Sequence, residues 1–151
     1  IGSFNYKQYN KQSLLILDNF SSQELRAYAS NFATIQINLI SSISIQGDAI
    51  LKDILVLSRI YSDAAENLSQ IAVPSALSDI HLTVVNNYSA VSKALEAFRD
   101  DSDPAKKAVS IGAYQNAVES QEQMLEIIAR YLEQNDIMFT ADQDGDYWNN
   151  F

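Results

Sequence analysis

Residues 21–43 read "SSQELRAYASNFATIQINLISSI". Ser21 followed three positions later by Glu24 is the pattern of a capping box, in which each side chain accepts a hydrogen bond from the other residue's backbone N–H. Behind it Leu25, Tyr28, Phe32, Ile35, Leu39 and Ile43 recur at steps of three and four. That spacing lines one face of a helix and cannot line one face of a strand. The stretch predicts an amphipathic helix over 22–45.

The same period continues toward the C-terminus. After "QGD", where Gly47 suits a helix end and Asp48 an N-cap, Ile50, Ile54, Leu57, Tyr61, Ala64, Leu68 and Ile71 predict a second helix over 49–72. Pro74 stops that helix or starts its successor. A third helix over 75–99 carries Leu77, Ile80, Val84, Tyr88, Val91, Leu95 and Phe98. "DDSDP" follows, with Asp103 as N-cap and Pro104 in the first turn of a fourth helix over 104–135. Its stripe is Ala108, Ile111, Gln115, Val118, Leu125, Ile128 and Leu132, broken by "ESQEQ" (119–123), which is polar all round. Leu57, Tyr61, Val84, Tyr88, Leu95, Ile128 and Leu132 are expected in the core.

Short connectors make successive helices antiparallel neighbours, and similar helix lengths favour a bundle. The expected fold is all-α, an up-down four-helix bundle. An irregular or partly helical lead-in (1–20) precedes a single helical domain (21–151) that closes in an acidic-aromatic tail. Four glycines and two prolines in 151 residues fit long helices better than a turn-rich β fold. A chain of this length buries about 70% of its unfolded surface and folds without staples.

A net charge of −9 with ten scattered basic residues argues against nucleic acid and anionic membrane surfaces as partners. The last base is Arg130, and Glu133, Asp136, Asp142, Asp144 and Asp146 follow it. Zero cysteines exclude disulfides and thiolate metal sites. No apolar run approaches the roughly 18 residues of a membrane span. The chain opens on Ile1, as expected of a form whose signal or anchor has been removed.

His81 is the one histidine. It flanks the stripe of Leu77, Ile80, Val84 and Tyr88, and Ser78 three residues before it rules out the Glu-x-x-His motif of di-iron bundles. A structural role is expected, with one ring nitrogen bonded to a carbonyl from the corner near Pro74. The tyrosines on the stripes are expected to pack with their hydroxyls at the rim. "DQDGD" supplies alternating carboxylates at Asp142, Asp144 and Asp146, the ligand type that calcium prefers. Its glycine, however, precedes the third aspartate, whereas the EF-hand glycine follows it. A packed turn before the Tyr-Trp-Phe tail is the stronger reading. No nucleophile elbow, metal-ligand cluster or phosphate loop points to an enzyme or a cofactor.

The series "VP...L...HL..V.N.Y" (Val73, Pro74, Leu77, His81, Leu82, Asn86, Tyr88), then Asp103, Pro104 and Tyr114, then Ile137, Phe139, Gly145 and Tyr147, resembles a group of uncharacterised helical envelope proteins of candidate-phylum bacteria with reduced genomes. A weaker echo lies in "LRAYASNFATI". The resemblance implies a helical domain behind an N-terminal membrane anchor, outside the cytoplasm, and supplies no mechanism. The expected function is therefore a non-enzymatic extracytoplasmic structural or protein-interaction domain. Its partner would be a protein, and membrane contact would come only through the upstream anchor. The alternative is a ligand- or calcium-sensing module that uses the acidic tail.

Overall fold

The structure, a computed structural model, describes residues 4–99 and 103–151. The first residues of the "DDSDP" punctuation lie outside the described residues. The molecule is mostly helical and its class is all-α.

Helix α1 (Ser22–Ile45) begins on the predicted capping box: the Glu24 N–H donates to Ser21 Oγ at 3.1 Å and the Ser21 N–H to Glu24 Oε1 at 2.9 Å. The predicted second helix is two. Helix α2 (Gly47–Lys52) starts at Gly47 rather than ending there, and Asp48 lies in its first turn instead of capping it. Helix α3 (Leu55–Ser69) follows a break at Asp53, whose backbone is extended and whose Oδ1 accepts from the Leu55 N–H at 3.0 Å. A short acidic side chain that bonds the backbone two residues on competes with helix, which a stripe of apolar residues does not reveal.

Pro74 also sits differently from its expected place. The lead-in holds a strand, β1 (Leu15–Leu17), which pairs in parallel with β2 (Ala72–Pro74) in the register Leu15↔Ala72, Ile16↔Val73, Leu17↔Pro74. Val73 is β-branched and precedes a proline, two reasons for an extended backbone. Pro74 has no N–H to donate and ends the ladder. A 3-10 turn (Ser75–Leu77) then leads into α4 (Ser78–Phe98).

Helix α5 (Pro104–Gln134) starts as expected, with Asp103 Oδ1 accepting from the Lys106 N–H at 3.1 Å and Pro104 in the first turn. It ends in a Schellman motif. Asp136, at φ 57°, turns the chain left-handed while the Ile137 N–H donates to the Leu132 carbonyl and the Asp136 N–H to that of Glu133.

Helix α4 is central. It runs against α3 through Ser58–Ser92, Tyr61–Tyr88 and Leu68–His81, and against α5 through Asn87–Gln121 and Phe98–Tyr114. In both pairs the numbers rise on one helix as they fall on the other, so both are antiparallel. Tyr28–His81 and Gln36–Tyr88 show that α1 runs parallel to α4. The reciprocal bonds of Ser58 and Ser92, each hydroxyl to the other's carbonyl at 2.8 Å, satisfy both side chains where α3 and α4 meet.

Of the expected core, Val84, Tyr88, Leu95, Ile128 and Leu132 are buried, whereas Leu57 and Tyr61 are half-buried because α3 presents Ile60, Ala64 and Leu68 instead. The first half of α5 turns a different face inward from the one predicted. Ser110, Ala117 and Gln121 are buried, while Ile111, Gln115 and Val118 are exposed. Ser110 and Ala117 are small, and Gln121 meets a hydrogen-bond donor from α4, Asn87.

The tail covers α1. A 3-10 segment, Asp144–Asn150, places the Trp148 ring 5.1 Å from Phe32 and its Nε1 donates to the Ala29 carbonyl at 2.9 Å. The polar lead-in lies on α3 and α4. The Tyr9 N–H and carbonyl pair with the Asn86 side chain at 2.8 and 3.1 Å, the Tyr9 hydroxyl donates to Glu66, and Ser89 Oγ donates to the Lys7 carbonyl.

Candidate functional site

The polar side chains of the interior fall into separate hydrogen-bonded groups, one joining α1, α3 and α4 at His81 and another joining α1, α4 and the tail at Gln36. His81 is wholly buried, at 0% exposure. The stripe placed it at the flank, but α4 is enclosed on nearly every side, so a flanking position becomes a central one. Its Nε2 lies 2.8 Å from the Leu68 carbonyl, which can only accept, so Nε2 carries the hydrogen. Nδ1 of the neutral ring is then an acceptor, and the Tyr28 hydroxyl donates to it at 2.9 Å. The expected carbonyl partner is therefore Leu68, at the end of α3. Burial holds the His81 pKa at about 4 against an ordinary 6.5, and the Leu68 carbonyl, which favours the charged ring, offsets only part of that. Tyr28, fully buried, has its own pKa pushed well up by desolvation.

About two turns further along both helices, the Tyr88 hydroxyl donates to Gln36 Oε1 at 2.8 Å and Gln36 Nε2 donates to the Tyr147 hydroxyl at 3.0 Å. The Tyr28 and Tyr88 hydroxyls lie inside the core and not at its rim, because histidine and glutamine partners inside it satisfy them. Asn87 Nδ2 donates to Ser120 Oγ and Gln121 Oε1. Gln121 Nε2 is buried without a hydrogen bond of good geometry, and the Gln121 side chain, ahead of Gln36, opposes the rise that burial imposes on the Tyr88 hydroxyl's pKa.

A neutral histidine with both nitrogens engaged and no route to solvent can hold helices together but cannot exchange protons with a substrate. Gln36 and Gln121 carry a signal that reading for apolar residues passes over. Gln36 falls four after Phe32 and three before Leu39, and Gln121 four after Ala117 and four before Leu125, so both stand in the buried stripes.

The acidic tail does not gather its carboxylates. Asp142 accepts from Thr140 Oγ1 at 2.5 Å, Asp144 from Thr34 at 2.7 Å, and Asp146 from Asn149 at 2.7 Å. The Thr140 hydroxyl holds the Asp142 pKa below the usual range. Among the described residues no group of three or more His, Cys, Asp or Glu side chains could hold a metal. Gly145 is buried against the Phe139 ring, and Arg26 lies over that ring's other neighbourhood at 4.3 Å while donating to the Met138 carbonyl at 2.6 Å.

The surface offers a cleft of about 370 Å³ between the end of α5 and the tail, lined by Leu132, Glu133, Asp136, Met138, Trp148 and Phe151 among others. Met138 is 75% exposed and Phe151 51%. At the other end of α1, Ile45 is 80% and Leu51 87% exposed. No helix among the described residues is long and apolar enough to cross a membrane. No protein family, curated protein or solved structure matches the chain.

Proposed function

We propose that the chain is a non-enzymatic structural or protein-interaction domain of the cell envelope. In this reading it is held outside the cytoplasm by a membrane anchor upstream, as in the reduced-genome group it resembles, and its helices form a single up-down four-helix bundle. The observation that carries the interaction reading is the presence of large apolar side chains left in solvent at both ends of α1: Ile45 and Leu51 at one, Met138 and Phe151 at the other. Isolated exposed apolar residues are ordinary, but among the described residues these four are the most exposed of the large apolar side chains beside Leu15 and Ile40, and they support a surface for a partner. The non-enzymatic reading is supported by His81, whose two nitrogens are both bonded inside the core.

The test is site-specific photo-crosslinking in cells that make the full-length protein, with the crosslinker at Leu51 or Met138 and a control at exposed Glu119. Discrete adducts at the two apolar positions, in the envelope fraction, are expected. Adducts no stronger than at Glu119, with the protein recovered away from the envelope, would overturn the proposal.

A further inference from the structure

We propose that the cleft between the end of α5 and the tail receives an arginine or lysine side chain of a basic partner peptide. The inference rests on the protein-interaction reading and names one surface and one partner chemistry. The floor of the cleft is apolar, made by Leu132 and Ile137 with the Trp148 and Phe151 rings beside them, and Met138 stands exposed at its edge. Its rim carries three carboxylates, Glu126, Glu133 and Asp136, and one cation, Arg130. Arg130 pairs with Glu126 at 2.6 Å, and among the described residues Glu133 and Asp136 have no salt bridge. An aliphatic stem with a cationic head fits that layout, since the stem can lie on Met138 and the rings while the head reaches the two carboxylates. Charge complementarity acts in the same sense over a longer range, because the protein carries −9 and no base follows Arg130.

The identity of Asp136 agrees. It occupies the left-handed position of the Schellman motif, where glycine is preferred, and it sets a negative charge at the negative end of the α5 dipole. Aspartate tolerates the left-handed conformation, and a bound cation would offset the charge it places at that end of the helix.

Trp148 is the one tryptophan and lines the cleft, so its fluorescence reports occupancy. The probe is an acetylated, amidated heptapeptide with two arginines among serines and alanines, and its control is the same peptide with citrulline, the neutral isostere. The arginine peptide should give a saturable change and the citrulline peptide none. Glu133→Gln with Asp136→Asn should weaken binding about tenfold or more, the scale of a lost charge-assisted bond. Glu119→Gln with Glu122→Gln, an equal charge change at exposed positions of the same helix, should leave it within about twofold, as expected for distant screened charges. Equal binding of both peptides, equal loss in both double variants, or no saturable change would overturn the inference. If Leu51 still cross-links a partner in that event, the cleft is excluded and the interaction reading stands.

Discussion

The Tyr28 hydroxyl donates to Nδ1 of His81 across 2.9 Å, joining α1 to α4 at a point where neither side chain meets water. The bond completes the histidine, because Leu68 already occupies its other nitrogen. Tyr28→Phe keeps the ring and removes only the donor. It should lower unfolding free energy by about 1–3 kcal/mol, the cost of a buried polar atom left without a partner, as read from urea denaturation. An unchanged midpoint would mean that the hydroxyl contributes nothing there.

Acid should loosen the fold through His81. The ring titrates near 4 in the folded protein and near 6.5 when unfolded. Between those values the unfolded chain binds the proton and the folded one does not, so stability is complete above about pH 6.5 and falls as pH drops toward 4. The whole loss is about 3 kcal/mol at 1.36 kcal/mol per pKa unit. Carboxylates add their own losses at lower pH, so the informative quantity is the difference from His81→Gln. The variant's stability should be flatter than that of the wild type across this window.

A methyl group at position 145 has nowhere to go. Gly145 is buried under Phe139, and a Cβ built on it overlaps that ring. Gly145→Ala should destabilise by roughly 1–3 kcal/mol, the usual cost of overpacking. It should also shift the Trp148 emission, because Trp148 lies three residues along in the same 3-10 segment. If both melt and emission match the wild type, Phe139 swings aside freely.

Calcium at millimolar concentration should leave the melting temperature where it is. Asp142, Asp144 and Asp146 are each turned to a different polar neighbour, and three separated carboxylates do not make the six- to eight-oxygen shell that the ion takes. A rise of several degrees that disappears in Asp144→Asn would restore the sensing alternative through ligand linkage.

Gln121→Met should stabilise the protein by about 1 kcal/mol. The substitution removes a buried Nε2 that has no acceptor, and Asn87 keeps its bond to Ser120. Differential scanning calorimetry on the single variant decides it, and a lower melting temperature would show that the Asn87–Gln121 bond outweighs the orphaned amide hydrogen.

The contrast between what the chain announced and what it concealed is physical. Helix α1 is legible in its start and its inward face because its capping box and its stripe agree. The start of α5 was legible from Asp103 and Pro104. The break at Asp53 was not, since a single side-chain bond to Leu55 decides it against a continuing apolar period. Nor was β1–β2, because two three-residue strands far apart in the chain carry no periodic signal and form only where tertiary packing brings them together. The inward face of α5 departs from the stripe for a related reason: Ser110 and Ala117 are small, and Gln121 is held by the hydrogen bond from Asn87, whereas a stripe is drawn by hydropathy. His81 was correctly expected to bond a backbone carbonyl, but its depth followed from how many elements enclose α4, which no single helix encodes.

The parallel pairing of β1 with β2 also sets an order of events during synthesis. Where the two strands meet, Ser75 Oγ reaches back to the Asp18 carbonyl, 57 residues earlier. At about 5–20 residues per second, the ribosome delivers that partner roughly 3–11 s after the first strand has emerged. Through that interval "LIL" (15–17) is an apolar segment with an open backbone edge, able to pair with any extended chain nearby. The nascent protein is therefore most vulnerable to mispairing until β2 has emerged behind α3, and a chaperone that shields residues 4–20 would protect it at the time when the fold cannot protect itself.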